Sequence, residues 1–292
     1  MNTMSGTLTA ETFLRAVDLE AVDAEVFDEA YEATTQYVPW PKAYGGDMVA
    51  QSAAAMMRSV AADRQLHSMH SYFMRPVDIG AVVRYEVEKL RDGRGYSTRS
   101  VRGYQGGKTV FAAMGSFQVA EEGPEFQPEM PAAVEPESLR SAAEVLAGVE
   151  GDAAAYWSQG RSFDMRHVPG PVYVEVEGAA IPQQAVWVKA FDRLPDGANL
   201  HRTALAYVCD YTILEPILRA QGHYWAEPGL ATASLDHSMW FHRDGRADEW
   251  VLYAQEAVSG QRNRGLATGR FFDRSGRLLA TVAQEGMIRA AR

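Results

Sequence analysis

A chain of 292 residues, 47% hydrophobic and 23% charged, has the composition of an ordinary globular protein and enough material for one large or two medium domains. A net charge of −10 argues against nucleic-acid binding, which needs a basic face, but leaves room for a local Arg and Lys cluster around a small anion. Cys209 is the only cysteine, which excludes an intramolecular disulfide. No apolar run approaches the roughly 18 residues of a membrane span, so no membrane partner is expected.

Residues 1–11 lack the basic and apolar regions of a signal peptide, and Ala290-Ala291-Arg292 is no peroxisomal address, so cytoplasm is the expected location. Residues 11–19 read as a short helical lead, followed by a candidate strand before about Thr35. The Pro and Gly cluster at residues 39–46 is a loop, and from Asp47 the chain turns helical, small and apolar on most faces. Four runs with strand chemistry follow, at 66–74, 82–90, 96–104 and 109–119, with hairpin turns at 91–95 and 105–108. Residues 121–136, rich in Pro and Glu, read as a linker, with a short helix over 137–146.

A second pass begins near Phe163, with a strand at 184–191 and then a helix over 205–220. Strands return at 231–241, 250–258, 265–272 and 278–289, the last two joined by a turn at 274–277. Helix followed by four strands therefore occurs twice, about 165 residues apart, and Tyr72-Phe73-Met74-Arg75 lines up with Trp240-Phe241-His242-Arg243. Two copies at so long a period indicate a duplicated domain of α+β class. Each copy reads as a sheet wrapped round a helix, with edge strands joined between copies.

The helix expected at 205–220 is too apolar all round for a surface helix, yet it carries Asp210. A carboxylate there must be paired, protonated or facing a cavity, which makes Asp210 the first candidate for chemistry. Other signatures fail. There is no Gly-x-Ser-x-Gly elbow, and Gly103 with Gly107-Lys108-Thr109 misses P-loop spacing by one residue and lies in a hairpin. His67 and His70, the closest approach to a metal pair, point to opposite faces of a strand, so no metal site is expected. Cys209, with no positive neighbour, reads as a plain buried thiol.

Several segments together resemble the type II acyl-CoA thioesterases. They are Tyr44-Gly45-Gly46, His67-Ser68-Met69-His70-Ser71-Tyr72-Phe73-Met74-Arg75-Pro76, Gly107-Lys108, Leu205-Ala206-Tyr207-Val208-Cys209-Asp210, Asp236-His237-Ser238-Met239-Trp240-Phe241-His242-Arg243 and Gln284-Glu285-Gly286. The similarity runs from about Ala43 onward and is weakest across the linker. It implies a double hotdog fold. The expected division is an N-terminal hotdog domain at 8–122, a linker with a short helix at 123–160, and a C-terminal hotdog domain at 161–292 that carries the active site.

By the same resemblance a water is activated by Asp210, Ser234 and Gln284, with no cofactor and no covalent intermediate. The family carries Thr where this chain has Ser234, which keeps the hydroxyl but loses the methyl that stiffens χ1. Thioester hydrolysis needs a held water, a group to take its proton and donors for the oxyanion, roles these three side chains suit.

Asp47 stands where the family has Gln. It reads either as a helix N-cap or, by the repeat, as a counterpart of Asp210 in a second site. Arg264-Gly265 matches a family Arg-Gly pair, with Arg262 and Arg270 nearby, and is a candidate for the anionic CoA moiety. His237, Trp240, His242 and Tyr72 read as core and strand-pairing residues. The expected substrate is acyl-CoA and the expected assembly a homo-oligomer, dimer or tetramer. The alternatives are a non-catalytic acyl-CoA or acyl-carrier binding module and an enoyl-CoA hydratase-like enzyme.

Overall fold

The computed structural model describes residues 8–291; the rest of the N-terminal segment and Arg292 of the C-terminal tripeptide lie outside the described residues. The first half runs α1 (Glu11–Ala16), β1 (Glu20–Val22), β2 (Glu29–Thr34), α2 (Gly45–Arg58), β3 (Arg64–Phe73), β4 (Val82–Asp92), β5 (Tyr96–Gln105) and β6 (Lys108–Val119). A connecting segment holds a 3-10 turn (Pro136–Ser138), α3 (Ala142–Val145), α4 (Asp152–Ala155) and a π turn (Tyr156–Gly160). The second half runs β7 (Phe163–His167), β8 (Gln183–Ala190), α5 (Ala198–Val208), α6 (Glu215–Gln221), β9 (Ala231–Ser234), β10 (Asp236–Phe241), β11 (Val251–Gln261), β12 (Arg264–Asp273) and β13 (Leu278–Arg289).

The thirteen described strands form one antiparallel sheet in the order β1-β2-β4-β5-β6-β3-β10-β13-β12-β11-β8-β7, with β9 beside β13. The halves meet where β3 pairs with β10, Met69 opposite Met239 and His70 opposite Ser238. Ser238 stands 168 residues after His70, as Trp240 does after Tyr72, so a local two-fold axis passes between His70 and Ser238. The expected double hotdog is present, and its two edge strands satisfy each other's backbone groups.

Helix α2 is buried on every face from Gly46 to Met57. Its Ala-rich sequence lets the sheet close round it, and at Gly115 an added Cβ would lie 2.9 Å from Met56 Sδ. The expected helix over 205–220 is in fact three pieces: α5, a 3-10 turn at Cys209–Tyr211, and α6. Pro216 is the reason: its ring and missing N–H disfavour a helix running through from Val208, and α6 restarts with Pro216 in its first turn. Asp210 lies in the break, where side chains can leave the helical stripe. The strand expected at 231–241 is also split, because Leu235 donates to Glu285 O between β9 and β10 and the pairing with β13 slips by one residue.

The segment expected as a linker is strapped down. Trp187 Nε1 donates to Val134 O at 2.9 Å, and Arg274 pairs with Glu135 at 2.7 Å and Glu137 at 2.8 Å. Beneath it Trp187, Trp250 and Leu252 form a small buried cluster of their own.

Candidate active site

Three elements distant in sequence converge on Asp210. The break after α5 presents its carboxylate, the last residue of β9 presents Ser234, and the middle of β13 presents Gln284. Ser234 Oγ donates to Asp210 Oδ1 at 2.8 Å, and Gln284 Nε2 donates to the same oxygen at 2.6 Å. Gln284 Nε2 also lies 3.0 Å from Ser234 Oγ, closing a three-membered polar ring. Behind it His237 Nδ1 contacts Gln284 Oε1 at 2.8 Å, and both side chains are fully buried.

The other oxygen of Asp210 faces the N-terminus of α2. A Cβ added to Gly45 would lie 2.4 Å from Asp210 Oδ2, and one on Gly46 would strike Tyr207 O and the Tyr44 ring, each at 2.3 Å. Only glycines allow the helix end so close. The Gly46 N–H, together with Ser234, Gln284 and Lys42, works to hold the Asp210 carboxylate ionised. The protein packed around the group has the larger effect and raises its pKa above the ordinary value, although the side chain keeps partial access to solvent. Lys42 is anchored by a 2.6 Å bond from Nζ to Thr232 O, and partial burial lowers its own pKa.

A cavity of about 190 Å³ opens beside Ser234, with Lys42, Gly45, Met48, Phe73 and Arg75 in its wall. A larger one of about 330 Å³, between Pro131 and strands β8, β11 and β12, touches none of the three triad residues. Lys42 and Arg75 are the cations in the wall of that cavity, and neither is among the sequence-based candidates. The signal was available: Lys42 directly precedes Ala43-Tyr44-Gly45-Gly46, and Arg75 ends the repeated Tyr72-Phe73-Met74-Arg75 run.

The remaining candidates fall elsewhere. Arg264 pairs with Glu285 at 3.1 Å, and Gly265 is glycine because a Cβ there would lie 2.6 Å from Ile217. Register places Gly265 opposite Gly286, which in turn faces Ser234, so the pair sits on the strand next to that of Gln284 and two strands from Ser234. Cys209 is buried, its Sγ donating to Ala206 O at 3.0 Å, and burial pushes its pKa well up, so it stays a thiol. His67 and His70 bond different serines, Ser116 and Ser238, each at 2.9 Å.

Asp47 corrects the N-cap reading. Tyr44 occupies the N-cap of α2, and Asp47, in the first turn, caps nothing. Its Oδ2 accepts the Gln36 N–H at 2.8 Å while its Oδ1 has no partner among the described residues, and burial raises its pKa to about 7. The 168-residue offset of the seam strands does not carry into the helices, since α2 and α6 end 163 residues apart at Arg58 and Gln221, and on that spacing Asp47 falls at the position of Asp210. Glu215 is fully buried but satisfied by His167, Gln184 and Trp225 at 3.0, 2.7 and 3.0 Å. By strand register the counterparts of Ser234 and Gln284 are Leu66 and Gly115, so the first half holds no second polar triad.

The chain is similar to known proteins over nearly its whole length. Residues 157–287 match the family model for acyl-CoA thioesterase, and residues 34–118 match that for the acyl-CoA thioesterase N-terminal domain. The chain is 33% identical to human acyl-coenzyme A thioesterase 8 over 97% of its own length and 91% of the relative's. It is 32% identical to acyl-CoA thioesterase 2 of Haemophilus influenzae over 94% and 96% of the two chains. The crystal structure of acyl-CoA thioesterase II TesB2 from Mycobacterium marinum superposes with a TM-score of 0.76 at 35% identity, covering 95% of this chain and 98% of that one. The chain belongs to the type II acyl-CoA thioesterase family.

Proposed function

We propose that this acyl-CoA thioesterase hydrolyses its substrate by direct attack of a water held by Asp210, Ser234 and Gln284. The observation that carries the reading is the bonding of both Ser234 and Gln284 to one oxygen of Asp210. A carboxylate so fixed, with its pKa raised by burial, is a suitable proton acceptor for a water placed among the three. The start of α2 offers backbone N–H groups and a positive helix end where charge develops on the thioester oxygen. With Cys209 held as a thiol, a covalent cysteine route lacks its nucleophile.

Lys42 and Arg75 in the cavity wall are the cations we assign to the phosphates of CoA, and Arg75→Ala is expected to raise KM, more so at low salt. We read the halves as hotdog domains at 8–122 and 161–292 acting in the cytoplasm, and the protein as a homo-oligomer. Support for assembly comes from Tyr72, Met114 and Trp240, exposed on strands next to the central seam, a placement suited to a symmetric contact. Light scattering in solution tests it; a strictly monomeric protein would remove that reading.

The mechanism is tested by thiol release from a panel of acyl-CoAs, with intact-mass measurement during turnover. Ser234→Ala and Gln284→Ala should each lower kcat by about 10- to 100-fold, with no acyl adduct on the protein. A chain that binds acyl-CoA and releases no thiol would instead be a binding module.

A further inference from the structure

Gln284 can serve the water only with its amide turned one way. Its Nε2 lies 2.6 Å from Asp210 Oδ1 and 3.0 Å from Ser234 Oγ, so its Oε1 must point the other way, into the buried interior. There it meets one polar atom, His237 Nδ1, at 2.8 Å. A flipped amide would set Oε1 against the Asp210 carboxylate and withdraw the donor from the site. His237 is on β10, fully buried, and its other nitrogen, Nε2, lies 3.6 Å from Cys209 Sγ. His237 is in the wall of neither the 190 Å³ nor the 330 Å³ cavity.

We infer that His237 is a positioning residue for thioester hydrolysis: its Nδ1–H fixes the amide of Gln284 so that Nε2 faces Asp210 and Ser234. The inference rests on the proposed role of Gln284. The imidazole stays neutral over the working range, because burial pushes its pKa down to about 4. A neutral ring carries one N–H, and a carbonyl oxygen opposite Nδ1 selects the tautomer that bears it there. Without that donor, Oε1 becomes a buried acceptor with no partner and the amide is free to rotate.

The two amide substitutions at this position separate positioning from simple packing. Asparagine places its amide near the Nδ1 position of the ring, whereas glutamine reaches towards the Nε2 position. His237→Leu and His237→Gln should lower kcat by about 10- to 100-fold with KM within about twofold, the signature of misplaced groups. His237→Asn should retain most of the wild-type kcat. His237→Leu combined with Gln284→Ala should be no slower than Gln284→Ala alone, because the histidine acts through the glutamine.

Equal losses in the Asn and Gln variants, wild-type rates in both Leu and Gln, or multiplied losses in the double variant would overturn the inference. If the Leu variant does not fold, the Asn and Gln pair decides alone. Gln284→Ala at the wild-type rate would sink the water-holding reading itself. A slow Gln284→Ala beside a fast His237→Gln would sink only the role of His237.

Discussion

At Asp210 burial and ligation pull in opposite directions. Packing raises the carboxyl pKa, while Gln284, Ser234 and the Lys42 charge lower it, with burial the largest effect. A base must be ionised, so activity falls as pH drops through this raised pKa, and the acidic limb of kcat/KM should lie above the ordinary aspartate value of 3.8. Lys42→Met removes a stabilising charge and should move that limb to higher pH, and Lys42→Arg should restore it; an unmoved limb in the Met variant would show that Lys42 does not reach Asp210 electrostatically. Asp47 gives a stability effect of known sign. Its carboxyl holds a proton in the folded state up to about 7, whereas 3.8 is its ordinary value, so the folded protein loses stability as pH rises between them. Asp47→Asn should therefore leave Tm unchanged near pH 4 and raise it at pH 8, by about 2–4 °C for each kcal/mol relieved. Equal melting curves for variant and wild type at pH 8 would show that the group ionises without cost. Of the residue-scale picture, the sequence made Asp210, Ser234 and Gln284 legible because they sit in specific motifs. The roles of His237 and Lys42 were not legible, since they depend on contacts across 47 residues to Gln284 and 190 to Thr232.

Among the elements, the N-terminus of α2 and the break before α6 shape the surroundings of Asp210. Gly45→Ala favours helix formation by intrinsic propensity, yet its methyl would fall on Asp210 Oδ2. The variant should fold with near-normal Tm and lose about tenfold or more in kcat as the carboxylate is displaced; normal turnover would place the reacting carboxylate away from the helix end. The break itself shows where reading the chain alone stops short. Apolar residues on every side of 205–220 predict one continuous helix, but Pro216 weighs more heavily against helical continuation than the apolar pattern does for it. With the break, Asp210 leaves the helix axis and meets β9 and β13. Without it, the carboxylate would share a face with Ala206 and Leu214.

For the whole molecule, the sequence repeat led correctly to a duplicated fold with shared edge strands, because the Tyr72–Arg75 and Trp240–Arg243 runs recur at the strands that meet. The exact register could not be read, since bulges on β3, β4, β6, β11 and β13 each shift pairing by a residue. One sheet with α2 packed on α5 makes the halves mutually dependent. Met69 and Met239 are fully buried at the seam, so Met69→Ala should cost about 2–5 kcal/mol and lower a single melting transition for the entire chain. Two separated calorimetric transitions would show instead that the halves fold independently. The same architecture places the proposed site between halves, with the triad in the second and the helix end and Lys42 in the first. The measurement that tests this mechanism most directly is thiol release from acyl-CoA by wild type and by Asp210→Asn, with binding measured in parallel. Hydrolysis by an Asp210-held water predicts a kcat lower by about 10²-fold or more in a variant that is folded and still binds substrate. Wild-type turnover by that variant would contradict it.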